Sequence, residues 1–385
     1  MSENPFTILT REPVPDSRVD EHAVIARGRA RVRRRRALSA AGAGLAVAVV
    51  IGAVALAQPR PQPRPTPVGP TPSPSVSACG VEPLPALGPT AWVVVDGSGR
   101  YIAASQATGD MPVVVSGPGG TRTFTAVPRI FVTGVNGSGT VVGNVENDSD
   151  ADGYVIDGGT TVALGRPKGA LNVRAQAVND TGDVVGDARM PGNTFHAVVW
   201  RHGQWSRPQL LPTPDGEQSS AYGIAADGRI VGSVGAMPQP YLWSPDGTAR
   251  PLPPPTGKPG GMAVDIVGDW AAGPVDYVAN SVPRPNGRRY SRAPLTWARW
   301  NLRTGQVVPI QENPLSTGTA GLLADGTVVL LDIHSVTLWT ETGATPLPTP
   351  EGSGRWEVTG ASERGTLVGT VVDGERRAAF RWACR

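Results

Sequence analysis

A hairpin-forming pattern that recurs seven times, a composition rich in Gly (49) and Pro (39) with aromatics at 5%, and a last repeat that stops short predict an all-β chain. The expected class is a seven-bladed β-propeller, preceded by one transmembrane helix and a Pro-rich linker.

Residues 1–36 are polar and contain Pro13 and Pro15, so they predict a largely disordered basic tail with at most a short helix around Val19–Arg33. The tail ends in RGRARVRRRR (Arg27–Arg36) and is followed by Ala37–Ala57, 21 residues without a charge. As a helix that segment spans about 30 Å, the hydrocarbon thickness of a bilayer. The basic cluster predicts a cytoplasmic N-terminus attached to anionic lipid, with everything after Ala57 outside. Ala55-Leu56-Ala57 resembles a signal-peptidase site, so secretion after cleavage near Ala57 is the alternative. Val76-Ser77-Ala78-Cys79 has lipobox character, but lies too far beyond the apolar run to serve as one. Residues 58–78 hold eight prolines, which predicts a semi-rigid polyproline stalk of up to about 65 Å.

Charge divides along the same boundary. Residues 1–57 carry nine Arg against five acidic residues, leaving 26 basic and 27 acidic residues for the remainder. The domain expected over 79–385 therefore lacks the basic footprint that nucleic-acid binding requires, and nucleic acid is excluded as a partner.

That domain is read from its repeats. A small or apolar pair, a polar turn with Gly, and an apolar strand ending in Gly or Ala appear in VVVDGSGRYIA (Val93–Ala103), GVNGSGTVVG (Gly134–Gly143), AVNDTGDVVG (Ala177–Gly186) and GIAADGRIVG (Gly223–Gly232). A degenerate copy, AVDIVGDWAAG (Ala263–Gly273), precedes GLLADGTVVL (Gly321–Leu330) and GASERGTLVG (Gly360–Gly369). The turn glycines Gly99, Gly139, Gly182, Gly228, Gly268, Gly326 and Gly365 are expected at positive φ, as tight hairpins demand. A second strand follows each hairpin and ends in Trp200, Trp243, Trp297, Trp339 or Trp382 in the later repeats, while MPVVV and GYVI take that place in the first two. These tryptophans are expected to pack between blades. A short strand such as ARPLP or ATPLP completes each unit of four.

The motifs GVNGSGTVVG, AVNDTGDVVG and HAVVW resemble the extracellular HAF-repeat family of bacteria, whose unit runs G-[IV]-N-x-x-G-x-[VI]-V-G followed by A-F-x-W. The resemblance covers residues 79–385 and points to an actinobacterial, membrane-anchored type. It implies a propeller-like repeat fold outside the cytoplasm and brings no catalytic motif.

The last repeat ends at its Trp strand, and Glu82–Pro85 (EPLP) looks like the strand it lacks. Borrowing that segment would close the ring of a monomeric propeller and leave no open edge. Cys384 then ends the third strand of the last blade, and Cys79 stands just before the borrowed fourth, so a Cys79–Cys384 disulfide is expected.

Candidate chemistry is sparse. DSDADG (Asp148–Gly153) matches the start of a calcium loop, with Asp148, Asp150 and Asp152 as ligands, although Ile156 and Gly159 occupy its ninth and twelfth positions. No other cofactor is expected. Of the four histidines, His22, His196, His202 and His334, the first falls in the tail, and His196 and His202 flank Trp200 without a metal-ligand spacing. The insertion in the fifth repeat (Val275–Pro294) carries Tyr277, Arg284, Arg288, Arg289, Tyr290 and Arg292, a basic–aromatic loop that could meet a cell-wall or surface-protein partner. These features favour a non-enzymatic binding or sensing module anchored in the cytoplasmic membrane. Two alternatives stand beside it: a transmembrane signalling partner of an extracytoplasmic-function sigma factor, and a secreted glycan-active propeller enzyme.

Overall fold

A computed structural model describes residues 79–147, 150–258, 260–275, 281–283, 289–291, 295–313, 321–331, 336–340, 343–348, 355–373 and 376–384. The predicted tail, apolar segment and stalk lie outside these residues. Among the described residues no helix is long and apolar enough to cross a membrane.

The chain opens with strand β1 (Cys79–Pro83) and then builds antiparallel quartets of strands. Quartet A comprises β2 (Thr90–Val95), β3 (Ile102–Gln106), β4 (Val113–Gly117) and β5 (Gly120–Phe124). Quartet B comprises β6 (Ile130–Val135), β7 (Val141–Asn147), β8 (Asp150–Asp157) and β9 (Thr160–Ala163). Quartet C comprises β10 (Asn172–Val178), β11 (Val184–Met190), β12 (Thr194–Trp200) and β13 (Gln209–Leu210), and a single parallel pair, Val173 with Asp152, joins it to B. Quartet D comprises β14 (Ser219–Ile224), β15 (Ile230–Val234), β16 (Gln239–Trp243) and β17 (Ala249–Pro251). In quartet E, β18 (Asp265–Val267) and β19 (Trp270–Val275) are separated from β22 (Leu295–Asn301) and β23 (Val307–Asn313) by an inserted hairpin, β20 (Ser281–Pro283) with β21 (Arg289–Ser291). Quartet F comprises β24 (Gly321–Leu322), β25 (Val328–Leu331), β26 (Val336–Thr340) and β27 (Gly343–Pro346). Quartet G comprises β28 (Arg355–Ala361), β29 (Thr366–Asp373) and β30 (Arg376–Cys384), and β1 supplies its fourth strand.

Two glycine positions explain the repeat. The turn glycines adopt φ between +52° at Gly268 and +85° at Gly365, a region in which a Cβ would clash. The glycine that ends the V-V-G motif has a different cause. A Cβ at Gly143, Gly186, Gly232 or Gly369 would stand 1.8–2.5 Å from a carbonyl oxygen of the first strand, where that strand bulges by one residue. The bulge presses the two backbones together, and only glycine fits.

Packing runs from each quartet to the next. Val94 and Val113 of A cluster with Ile130 and Val132 of B, and comparable clusters join every later pair. Val368 and Ala379 of G pack on Val93, Ile102 and Val114 of A, so the succession closes on itself. Each such buried valine or isoleucine side chain contributes about 1.5–3 kcal/mol.

The tryptophans seal these joints. The indoles of Trp200, Trp243, Trp300 and Trp382 donate to the carbonyls of Gly165, Pro212, Pro253 and Pro348 at 2.7–2.8 Å. Each acceptor lies just beyond the outer strand of the preceding quartet. In quartet E this corrects the sequence expectation: the sealing residue is Trp300, opposite Ala271, as Trp200 is opposite Val184 and Trp382 opposite Leu367. Trp297 stands three residues earlier in the same strand, is buried, and has no partner for its indole nitrogen.

The borrowed strand is present but begins earlier than expected. β1 runs antiparallel to β30 from Cys79 opposite Cys384 to Pro83 opposite Phe380. Pro85, expected within the strand, instead starts a 3-10 turn through Leu87, since its fixed φ and missing N–H suit a turn start better than a ladder. Glu82 and Arg381 add an ion pair at 2.5 Å across the new edge.

Candidate functional site

The first strands of the quartets converge on an open cavity of about 420 Å³, to which every quartet contributes lining residues. The bulges turn one side chain of a first strand toward this space, among them Thr133, Gln176, Tyr222 and Thr359. Thr133 Oγ1 donates to the Ala175 carbonyl at 3.0 Å, and Thr359 Oγ1 to the Val93 carbonyl, so each hydroxyl ties its quartet to the next.

At one end of the cavity the hairpin turns form its mouth, and a circuit of hydrogen bonds runs around it. Arg100 donates to the Gly137 carbonyl (3.4 Å), Asn136 to Asn179 (2.9 Å), Asn179 to Ala225 (3.3 Å), and Arg229 to Gly268 (2.7 Å). Arg299 then donates to Gly326 (2.8 Å), the Ala324 amide to Glu363 (3.2 Å), and the Glu363 amide to Gly97 (3.0 Å). Every bond points from one quartet to the next, and the last returns to A. The Asx residues also shape their own turns: Asn136 Oδ1 accepts from Ser138 and Thr140 amides, and Asp96 accepts from Ser98 and Tyr101 amides.

The lining is acidic and aromatic. Asp180, Asp265 and Glu363 reach the cavity, and among the described lining residues there is no Lys, Arg or His. Burial pushes the Asp265 carboxyl up to about 6, against the opposing pull of the Ile266 and Leu322 amides. Glu363 is also raised, first by partial burial, then by the Asp180 charge, with Arg364 acting the other way and Asp96 adding to the rise. Asp180 accepts the Gly137 amide at 2.8 Å. Deeper in, Trp92 and Phe131 form a tilted pair with ring centroids 5.2 Å apart. Such a wall suits the binding of a cation with an apolar body.

Behind the wall, at the C–D joint, Asp187 is buried with its carboxyl raised to about 6 by desolvation, partly offset by Arg174 and by a hydrogen bond from Gln176. Its Oδ1 and the Nε of Arg174 have no partner.

The residues singled out in the sequence lie elsewhere. Asp148 falls outside the described residues, while Asp150 and Asp152 belong to strand β8, opposite Asn147 and Val145, so most of the acidic motif is strand rather than loop. Asp152 pairs with Arg166 at 2.5 Å. Among the described residues no group of three or more His, Cys, Asp or Glu side chains gathers at metal-ligating range. Arg289 and Tyr290 lie on β21 of the inserted hairpin, whereas Tyr277, Arg284, Arg288 and Arg292 lie outside the described residues. Cys79 and Cys384 are brought opposite each other. His202 packs beside Trp205 with ring centroids 5.5 Å apart.

Sequence reasoning missed Asp180, Asp265 and Glu363. A signal was available, because Asp180 and Glu363 occupy the turn position held by Gly97 and Gly137 in the first two repeats.

No family model matches the chain, and a search of curated proteins finds no significant relative. Solved structures resemble it in fold. Virginiamycin B lyase from Staphylococcus aureus superposes with a TM-score of 0.53 at 12% identity, covering 80% of this chain and 99% of the lyase. The β-propeller domain of Myceliophteria thermophila Cps50 (Swd1) gives 0.51 at 11% identity, covering 80% and 100%. The β-propeller domain of the Trilobed protease from Pyrococcus furiosus gives 0.51 at 13% identity, covering 77% and 95%. At these identities the likeness establishes a β-propeller fold and nothing about activity.

Proposed function

We propose that this chain is a single-pass membrane protein displaying a seven-bladed propeller outside the cell as a non-enzymatic binding or sensing module. The observation that carries this reading is the open cavity at the convergence of the quartets, lined with carboxylates and aromatic rings. The uncharged Ala37–Ala57 segment, the Arg run before it and the Pro-rich stretch after it supply anchor, orientation and stalk. A Cys79–Cys384 disulfide clasps the last blade in this reading, supported by the opposed register of the two residues and by an oxidising exterior. The test incubates the full chain, in detergent, with cell-wall and surface-protein fractions after fractionation and N-terminal sequencing of the mature protein. Retention in the membrane with an intact N-terminus and saturable capture of an envelope component are expected. A released protein starting after Ala57, or no capture from any fraction, overturns it.

A further inference from the structure

The cavity is not uniform around its circumference. At the mouth, Glu363 of quartet G lies against Gly97 of A, and Asp180 of C lies against Gly137 of B. Quartets A and B thus present no side chain at this turn position, and the two carboxylates frame a notch above them. Deeper along the same two quartets stand Trp92 and Phe131, which hold equivalent places on β2 and β6, opposite Ser105 and Asn144. Val94, Val95 and Val135 form the wall between the two levels. Trp92 lies five positions before Gly97 and Phe131 six before Gly137, so the two levels stand about 15 Å apart along the backbone, less the few ångströms at which each ammonium stands off its partner.

Each level favours a cation by different physics. The Asp180 charge adds to the rise of the Glu363 carboxyl, behind the larger effect of its partial burial, and no described lining residue is basic; Arg364, which acts the other way on Glu363, is not part of the lining. An ammonium in the notch would relieve that repulsion. The faces of Trp92 and Phe131 attract a cation through their ring quadrupoles, by about 0.5–2 kcal/mol according to desolvation. The valine wall suits methylene groups. An anion, by contrast, would meet three carboxylates and no positive partner.

We propose that the notch and slot along quartets A and B bind a free linear aliphatic diamine or polyamine, with one ammonium between Asp180 and Glu363 and another against Trp92 and Phe131. This rests on the cavity being a binding site and adds the ligand's class. The site selects length as well as charge, because only a chain reaching both levels gains both contacts.

Titration calorimetry on the full chain in detergent tests this with three probes: α,ω-diaminoheptane, α,ω-diaminopropane and the neutral α,ω-heptanediol. Saturable one-to-one binding of diaminoheptane is expected, about tenfold tighter than diaminopropane, with no binding of the diol. The exposed pair Asp180→Asn with Glu363→Gln should weaken diaminoheptane about tenfold while circular dichroism and the melting profile stay unchanged. Phe131→Leu, which keeps apolar volume and removes the ring, should erase the preference for the longer amine. No saturable amine binding, equal affinity for both lengths, or affinity unmoved by the paired substitution overturns the proposal. If envelope components still bind while the amines do not, only the ligand class falls. If neither binds, the binding reading falls with it.

Discussion

Asp187 occupies a position that elsewhere ties one quartet to the next. Ser105 accepts from the Val132 amide and donates to the Ile130 carbonyl at 2.9 Å, and Asn144 makes the same double contact with Ala175. An ionised aspartate can accept but not donate, and this one is 4% exposed. Because its folded carboxyl titrates at about 6 rather than 3.8, the charged form costs stability fully above pH 6 and not at all below pH 3.8. Asp187→Asn should therefore stabilise the protein by about 2 kcal/mol near neutral pH, with the gain shrinking as pH falls through about 6, as thermal melts at several pH values would record. A second residue-level test separates the two tryptophans of β22. Trp300→Phe leaves the Pro253 carbonyl unsatisfied and should cost about 1–3 kcal/mol, whereas Trp297→Phe removes an indole that donates to nothing and should cost less. Chemical denaturation that finds the two equal would contradict the revised assignment.

At the scale of the element, the hairpin and its bulge explain why the motif repeats so strictly. Gly232→Ala would place a methyl 1.9 Å from the Ser220 carbonyl oxygen and should lower the urea midpoint by the equivalent of about 1–3 kcal/mol. Gly119→Ala, with nothing within 4 Å, should leave the midpoint nearly unmoved. The turns were legible in the sequence because glycine at positive φ has a local cause that shows as a local pattern. The V-V-G glycine was legible as a pattern but not as a mechanism, since its clash partner lies on another strand. Trp300 was obscured because WARW offers two candidates three residues apart, and only register decides between them. The cavity was the least legible part. Its lining takes between one and five residues from each repeat, often at positions where the repeats differ, and periodicity averages such differences away.

For the whole molecule, closure decides stability. With the proposed Cys79–Cys384 disulfide formed, Cys79→Ser should lower the melting temperature by the equivalent of about 4–5 kcal/mol at most, the chain-entropy value for a loop of some 300 residues. Reductant should bring the parent protein to the same melting temperature and leave the variant unchanged. The closing strand was foreseen because the last repeat visibly lacked one, while its start at Cys79 was not, since the only cue was the Pro-Leu-Pro resemblance. That start has a mechanical consequence. β1 begins at Cys79, so tension drawn along the preceding chain arrives first at the residue facing Cys384. Without a covalent link there, pulling would peel β1 from β30 one hydrogen bond at a time, the weakest geometry for a paired strand. With the link, the same force passes straight into β30, the central hairpin of quartet G and the joint to quartet A, and the fastening is strongest at the point where a tether would tug.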